Sequence, residues 1–117
     1  MSEKDQKEFV KKFYEALDAG DAETASSLFP DGTEIHLWDG KVFHTQAEFK
    51  AWFEELYSRS DDAKRSIISF KVDGNIAKVI VVLKAFVDGE KLEVLLEHEF
   101  KFEGDKLVEV KVKIYPL

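Results

Sequence analysis

Cysteine is absent, so the chain can form no disulfide, thiolate nucleophile or thiolate metal site. No apolar run approaches the roughly eighteen residues of a membrane span. The longest, Val79 to Leu83, has the length of a strand. Positive charge is the minority, with 17 Lys and Arg against 24 Asp and Glu and a formal charge of -7. Phosphate backbones and anionic headgroups would be repelled on average, so neither nucleic acid nor membrane is an expected partner. Gly-rich phosphate loops, a nucleophile elbow and zinc-ligand spacings are missing as well. The three histidines are scattered, and no metal is expected. Met1-Ser2-Glu3-Lys4-Asp5 is charged where a signal peptide needs an apolar stretch, which points to a soluble, cytoplasmic protein.

What is present is enough for a folded core. The chain has 117 residues, 44% of them hydrophobic and 35% charged. That is the size of one domain, residues 1–117, and such a length can enclose a cavity without metal or disulfide support. Ser2 and Asp5 have capping-box spacing, and Phe9, Val10, Phe13, Tyr14 and Leu17 then recur at three and four, so a helix is predicted up to Gly20. Asp21 caps a short second helix through about Leu28, with Ala22, Ala25 and Leu28 on its inner side, before a turn at Pro30-Asp31-Gly32. Asp39-Gly40 joins two short strands, Thr33 to Trp38 and Lys41 to His44. Thr45 with Glu48 opens a third helix to about Ser58, whose stripe is Phe49, Trp52, Phe53 and Leu56.

From Lys64 the period changes to two, and turn signals at Asp73-Gly74, Asp88-Gly89 and Gly104-Asp105 divide the rest into a four-stranded antiparallel meander. Leu92, Val94, Leu96, His98, Phe100 and Phe102 share one face, as do Val108, Val110, Val112 and Ile114, so one side of the sheet is dry and must be covered by the helices.

His98 is the polar outlier on that face. An unpartnered buried group costs about 1 to 3 kcal/mol, so either one neighbour satisfies it as a core histidine or it serves a site. Tyr14 and Asp18, four apart, stand in one row on the first helix. A carboxylate in a helix's last turn opposes the macrodipole, so a buried Asp18 needs a cationic partner, and an exposed one needs none. Arg65, which shares the parity of Ile67, is the natural candidate beside Lys64 and Arg59. Glu97 and Glu99 flank His98 but face away from it, and His36 and His44 read as partly exposed.

The order helix, helix, two short strands, helix, four long strands resembles the nuclear transport factor 2-like superfamily. That likeness implies an α+β, cone-shaped fold, with three N-terminal helices packed on a curved antiparallel sheet enclosing a pocket. Within that shape, Phe13-Tyr14-Glu15-Ala16-Leu17-Asp18, Ile35-His36-Leu37-Trp38-Asp39-Gly40 and Glu48-Phe49 with Trp52-Phe53-Glu54 resemble designed luciferases, as do the single positions Ser60, Arg65, Leu96, His98 and Val110. The resemblance implies O2-dependent oxidation of a diphenylterazine- or coelenterazine-type luciferin, with O2 as co-substrate and no metal, flavin or ATP.

It further implies a catalytic set of Tyr14, Asp18, Arg65 and His98. Arg65 would stabilise the anion, Asp18 would orient Arg65, and Tyr14 would pair with His98. Trp38, Phe49, Trp52, Ser60, Leu96 and Val110 would bind the substrate, and the chain would act as a monomer. Two alternatives belong to the same shape: an isomerase or dehydratase with Tyr14 as oxyanion donor and His98 as base, or a binding module without turnover.

Overall fold

The computed structural model describes residues 1–117 throughout. The Ser2 side chain accepts a hydrogen bond of 3.1 Å from the Asp5 amide and opens α1 (Glu3–Asp18). Val10, Phe13, Tyr14 and Leu17 form its buried face, joined by Gln6 and Ala16. Gly20 stops the helix in the left-handed region at φ +71°, where a Cβ would also overlap the ring of Tyr57. Both facts demand glycine there. Asp21 accepts from the Thr24 amide and caps α2 (Ala22–Ser27).

The two short strands are trimmed to β1 (Glu34–His36) and β2 (Val42–Phe43). Between Thr45 and Glu48 the capping box is complete, with hydrogen bonds of 3.1 Å in both directions, and it starts α3 (Gln46–Ser58). Such a cap is worth about 1 kcal/mol.

Four long strands follow: β3 (Ser60–Asp73), β4 (Ile76–Val87), β5 (Glu90–Glu103) and β6 (Lys106–Pro116). The six-stranded sheet has the order β2-β1-β6-β5-β4-β3. It is mixed rather than wholly antiparallel, because β1 lies parallel to β6. The long stretch of chain between those two strands supplies the crossover that a parallel pair needs.

Three local departures from the expected pattern have physical causes. β3 begins at Ser60, four residues before the alternation starts, since a register shift between Asp61 and Lys64, with Asp62 at φ +53°, interrupts the period. The first hairpin turns at Gly74-Asn75, one residue late, because Asp73 still pairs with Ile76 and the positive φ falls on Gly74. On β6 a bulge opposite Lys101 and Phe102 puts Leu107 in the core in place of Val108. Bulges of this kind bend a strand, and together they curl the sheet around α1.

The core follows from that curl. Phe100, Phe102, Leu107, Val10, Val79 and Val81 are almost wholly enclosed, and Phe9 meets Phe102 edge to face at 5.3 Å.

Candidate functional site

Curvature leaves a cavity of about 270 Å³ between the concave face of the sheet, α1 and α3. Phe13 and Leu17 reach it from α1, Phe49 and Trp52 from α3, and Leu96, Val110 and Ile114 from the sheet. Trp38, in the turn between β1 and β2, closes one side while remaining 46% exposed, and its ring meets Trp52 edge to face at 6.2 Å. Of the twenty lining residues eighteen are hydrophobic, and the two exceptions are Arg65 and His98. The only ionisable side chains on this wall are therefore those two, and their settings follow from what holds them.

Each is held from behind by α1. Asp18 Oδ1 accepts from Arg65 Nη1 at 2.7 Å and Asp18 Oδ2 accepts from the Arg65 amide at 3.1 Å. Of the alternative cations, Arg59 is bonded to Glu55 and Asp88, and Lys64 makes no ion pair with Asp18. The Arg65 side chain is only 9% exposed, and its Nε is buried with no hydrogen-bond partner. A guanidinium cannot relieve that by losing its proton, so the unpaired N–H keeps its demand for an acceptor.

One turn earlier on the same row, Tyr14 Oη lies 2.8 Å from His98 Nδ1. Burial is the larger cause, and the positive charge of Arg65 the smaller, that push the His98 pKa down to about 3. Burial likewise raises the Tyr14 phenol far above its ordinary range, against the lowering pull of Arg65. Both rings are thus neutral at ordinary pH. Which of the two donates depends on the imidazole tautomer; in the form where Tyr14 donates to Nδ1, the imidazole proton sits on Nε2.

The structure brings Tyr14 together with His98 and Asp18 with Arg65, and it places Trp38, Phe49, Trp52, Leu96 and Val110 on the cavity wall. Ser60 does not reach this space. It lines an adjoining chamber of about 50 Å³ that shares Leu17, Leu56, Arg65 and Leu83 with the cavity, and its hydroxyl donates to the Leu56 carbonyl at 2.8 Å. The Phe13, Leu17, Leu83 and Ile114 walls were hidden in the sequence, because any apolar stripe reads as plain core until the sheet's curvature is known.

A sequence model of the SnoaL-like domain matches residues 10–110. No curated protein matches the chain significantly. Among solved structures it is similar to a hypothetical protein of ketosteroid isomerase-like fold from Catenulispora acidiphila in complex with trimethylamine. That likeness has 13% identity and a TM-score of 0.83, and covers 94% of this chain and 86% of the other. It is similar also to a candidate SnoaL-like polyketide cyclase from Jannaschia sp. (11% identity, TM-score 0.84, 95% and 85% covered). An LEH-like epoxide hydrolase from M. tuberculosis gives 11% identity, a TM-score of 0.78, and coverage of 92% and 80%. At such identities these likenesses speak for the fold alone.

Proposed function

The chain belongs to the SnoaL-like domain family, and on that premise we propose that it is a luciferase: a cofactor-independent oxidoreductase that oxidises an imidazopyrazinone of the diphenylterazine or coelenterazine type with O2. The observation that carries this reading is the buried guanidinium of Arg65, fixed by Asp18 on the wall of an otherwise apolar cavity and left with an unpaired N–H. Such a group is suited to an anion that forms on a flat, largely apolar molecule. The residue-level resemblance of Tyr14, Asp18, Arg65, Leu96, His98 and Val110 to the designed luciferase LuxSit supports the choice of substrate.

In this mechanism the bound luciferin loses a proton and its anion passes an electron to O2. The two radicals join as a peroxide on the carbon beside the carbonyl; its outer oxygen attacks the carbonyl, whose bond to the ring nitrogen breaks as a dioxetanone closes, and cleavage of the O–O and C–C bonds then expels CO2 and leaves the amide product in its excited state. The work of the chain is electrostatic. Arg65 holds positive charge where negative charge develops, in a site dry enough to strengthen the attraction. Asp18 is a positioning residue, since it reaches Arg65 and not the cavity. His98 offers the ligand a neutral N–H in the tautomer whose Nδ1 accepts from Tyr14.

The isomerase or dehydratase reading fits less well, because an imidazole with a pKa near 3 is a feeble general base at neutral pH. A luminometer reading over a small luciferin panel, with O2 and under argon, tests the proposal. Light only in O2 is the expected result. Turnover without O2 would favour the isomerase or dehydratase, and affinity without turnover a binding module. Removing a preorganised donor such as Arg65 should reduce emission by about 100 to 1,000 fold, far more than it weakens luciferin binding.

A further inference from the structure

Alternation along the strands turns Ile35 of β1 and Val110 of β6 into the cavity, and it turns Glu34, His36, Glu109 and Lys111 to the outer face of the sheet. The parallel register sets Glu34 beside Glu109 and His36 beside Lys111. On that outer face His36 Nε2 stands 3.0 Å from Glu34 Oε1 and 3.8 Å from Glu109 Oε2. The three ligand atoms lie within 4.8 Å of one another. We propose that Glu34, His36 and Glu109 form a binding site for one borderline divalent cation of the Zn2+ type, separate from the cavity.

The donor set decides the class of ion. One imidazole nitrogen with two carboxylate oxygens suits Zn2+ or Co2+, whereas Ca2+ and Mg2+ favour oxygen ligands in larger number. Spacing agrees with this. Two ligands on a tetrahedral metal, each roughly 2.0 to 2.2 Å from it, stand about 3.4 Å apart. The observed 3.0 and 3.8 Å from His36 bracket that value, and the two carboxylate oxygens stand within 4.8 Å of each other.

The side chains are 46%, 35% and 30% exposed for Glu34, His36 and Glu109. Their stems are held by the sheet while the ligand atoms stay open to an entering ion and to water as a fourth ligand. Lys111 Nζ lies 3.6 Å from Oε1 of Glu109, which leaves Oε2 toward His36. An outer partner of that sort orients a carboxylate ligand. Nothing in the linear order of residues announces the cluster, because an alternating pair on one strand is completed from a strand far along the chain.

Calorimetric titration of the full, untagged chain with Zn2+ tests the proposal, with Co2+ as a visible-absorption probe. One ion per chain is expected, together with Co2+ bands of low coordination number and a rise in melting temperature on adding Zn2+. His36→Gln and Glu109→Gln should each weaken binding by about tenfold or more, while His44→Gln leaves it unchanged. Thermal melts in chelator establish that each variant is folded, and if one of the two does not fold the other decides. Absence of saturable binding up to about 1 mM, which is the level of the weakest specific sites, would overturn the proposal. So would binding undiminished by His36→Gln and Glu109→Gln.

Discussion

His98→Leu should abolish a specific acid sensitivity of the fold. In the unfolded chain an imidazole titrates near pH 6.5, whereas in the fold burial and Arg65 push the His98 pKa down to about 3. As pH falls below 6.5 the unfolded state takes up a proton that the native state refuses. The stability contributed by His98 is therefore fully present above that pH, and it is lost progressively as pH falls toward 3. One proton corresponds to about 1.4 kcal/mol per pH unit, so between pH 7 and pH 4 the parent chain should lose roughly 3 kcal/mol through this group alone.

Urea denaturation of parent and variant at several pH values in that range isolates the effect. Every other charged or polar group is common to both chains and cancels in the difference. Because His98→Leu strips the Tyr14 hydroxyl of its partner, a second comparison with Tyr14→Phe/His98→Leu removes that offset. The stability difference should shift by roughly 3 kcal/mol in favour of each leucine variant on acidification. A difference that does not change with pH would refute the assignment of a buried, neutral imidazole.

Asp18→Ala and Arg65→Ala should each lower emission by about 100 fold or more, and the double variant should cost little beyond either one, since Asp18 acts only through the pair. A double-mutant cycle on emission rate checks this, and additive losses would contradict it. Gly20→Ala should destabilise the fold by about 1 to 3 kcal/mol, from a left-handed backbone and from overlap with Tyr57; Tyr57→Ala in the same chain should recover the overlap and leave about 1 kcal/mol, as read by urea denaturation. Thr45→Ala should cost about 1 kcal/mol in the same assay through loss of its half of the capping box on α3.

Helices, caps and strand faces were legible because each rests on residues a few positions apart. The row Val10, Tyr14, Asp18 follows from helical spacing, and the burial of His98 from strict alternation along β5. Their partners were legible only as candidates. Parity with Ile67 made Arg65 the natural candidate beside Lys64 and Arg59, and the structure sets its guanidinium against Asp18. Leu107 and Val108 exchange places because one extra residue in a strand reverses every side chain beyond it. Ser60 sits before the alternation begins, where parity had nothing to say about the chamber it lines. The parallel pairing of β1 with β6 and the Glu34, His36, Glu109 cluster depend on long-range register, which no local pattern encodes.

That parallel pairing has a kinetic consequence. The hairpins from β3 to β6 are built from neighbouring segments and can zip in turn, whereas β1 must find β6 across a loop containing α3 and most of the sheet. Closing so long a loop before its contacts form is an entropic barrier, so docking of β1 is expected on the late side of the folding transition state. Ile35, Leu37 and Trp38 arrive with β1 and its turn, and until they do the cavity stands open to water on that side. A molecule that fills the finished cavity has little to hold in the transition state. It should therefore slow the unfolding arm of a chevron and leave the folding arm where it was.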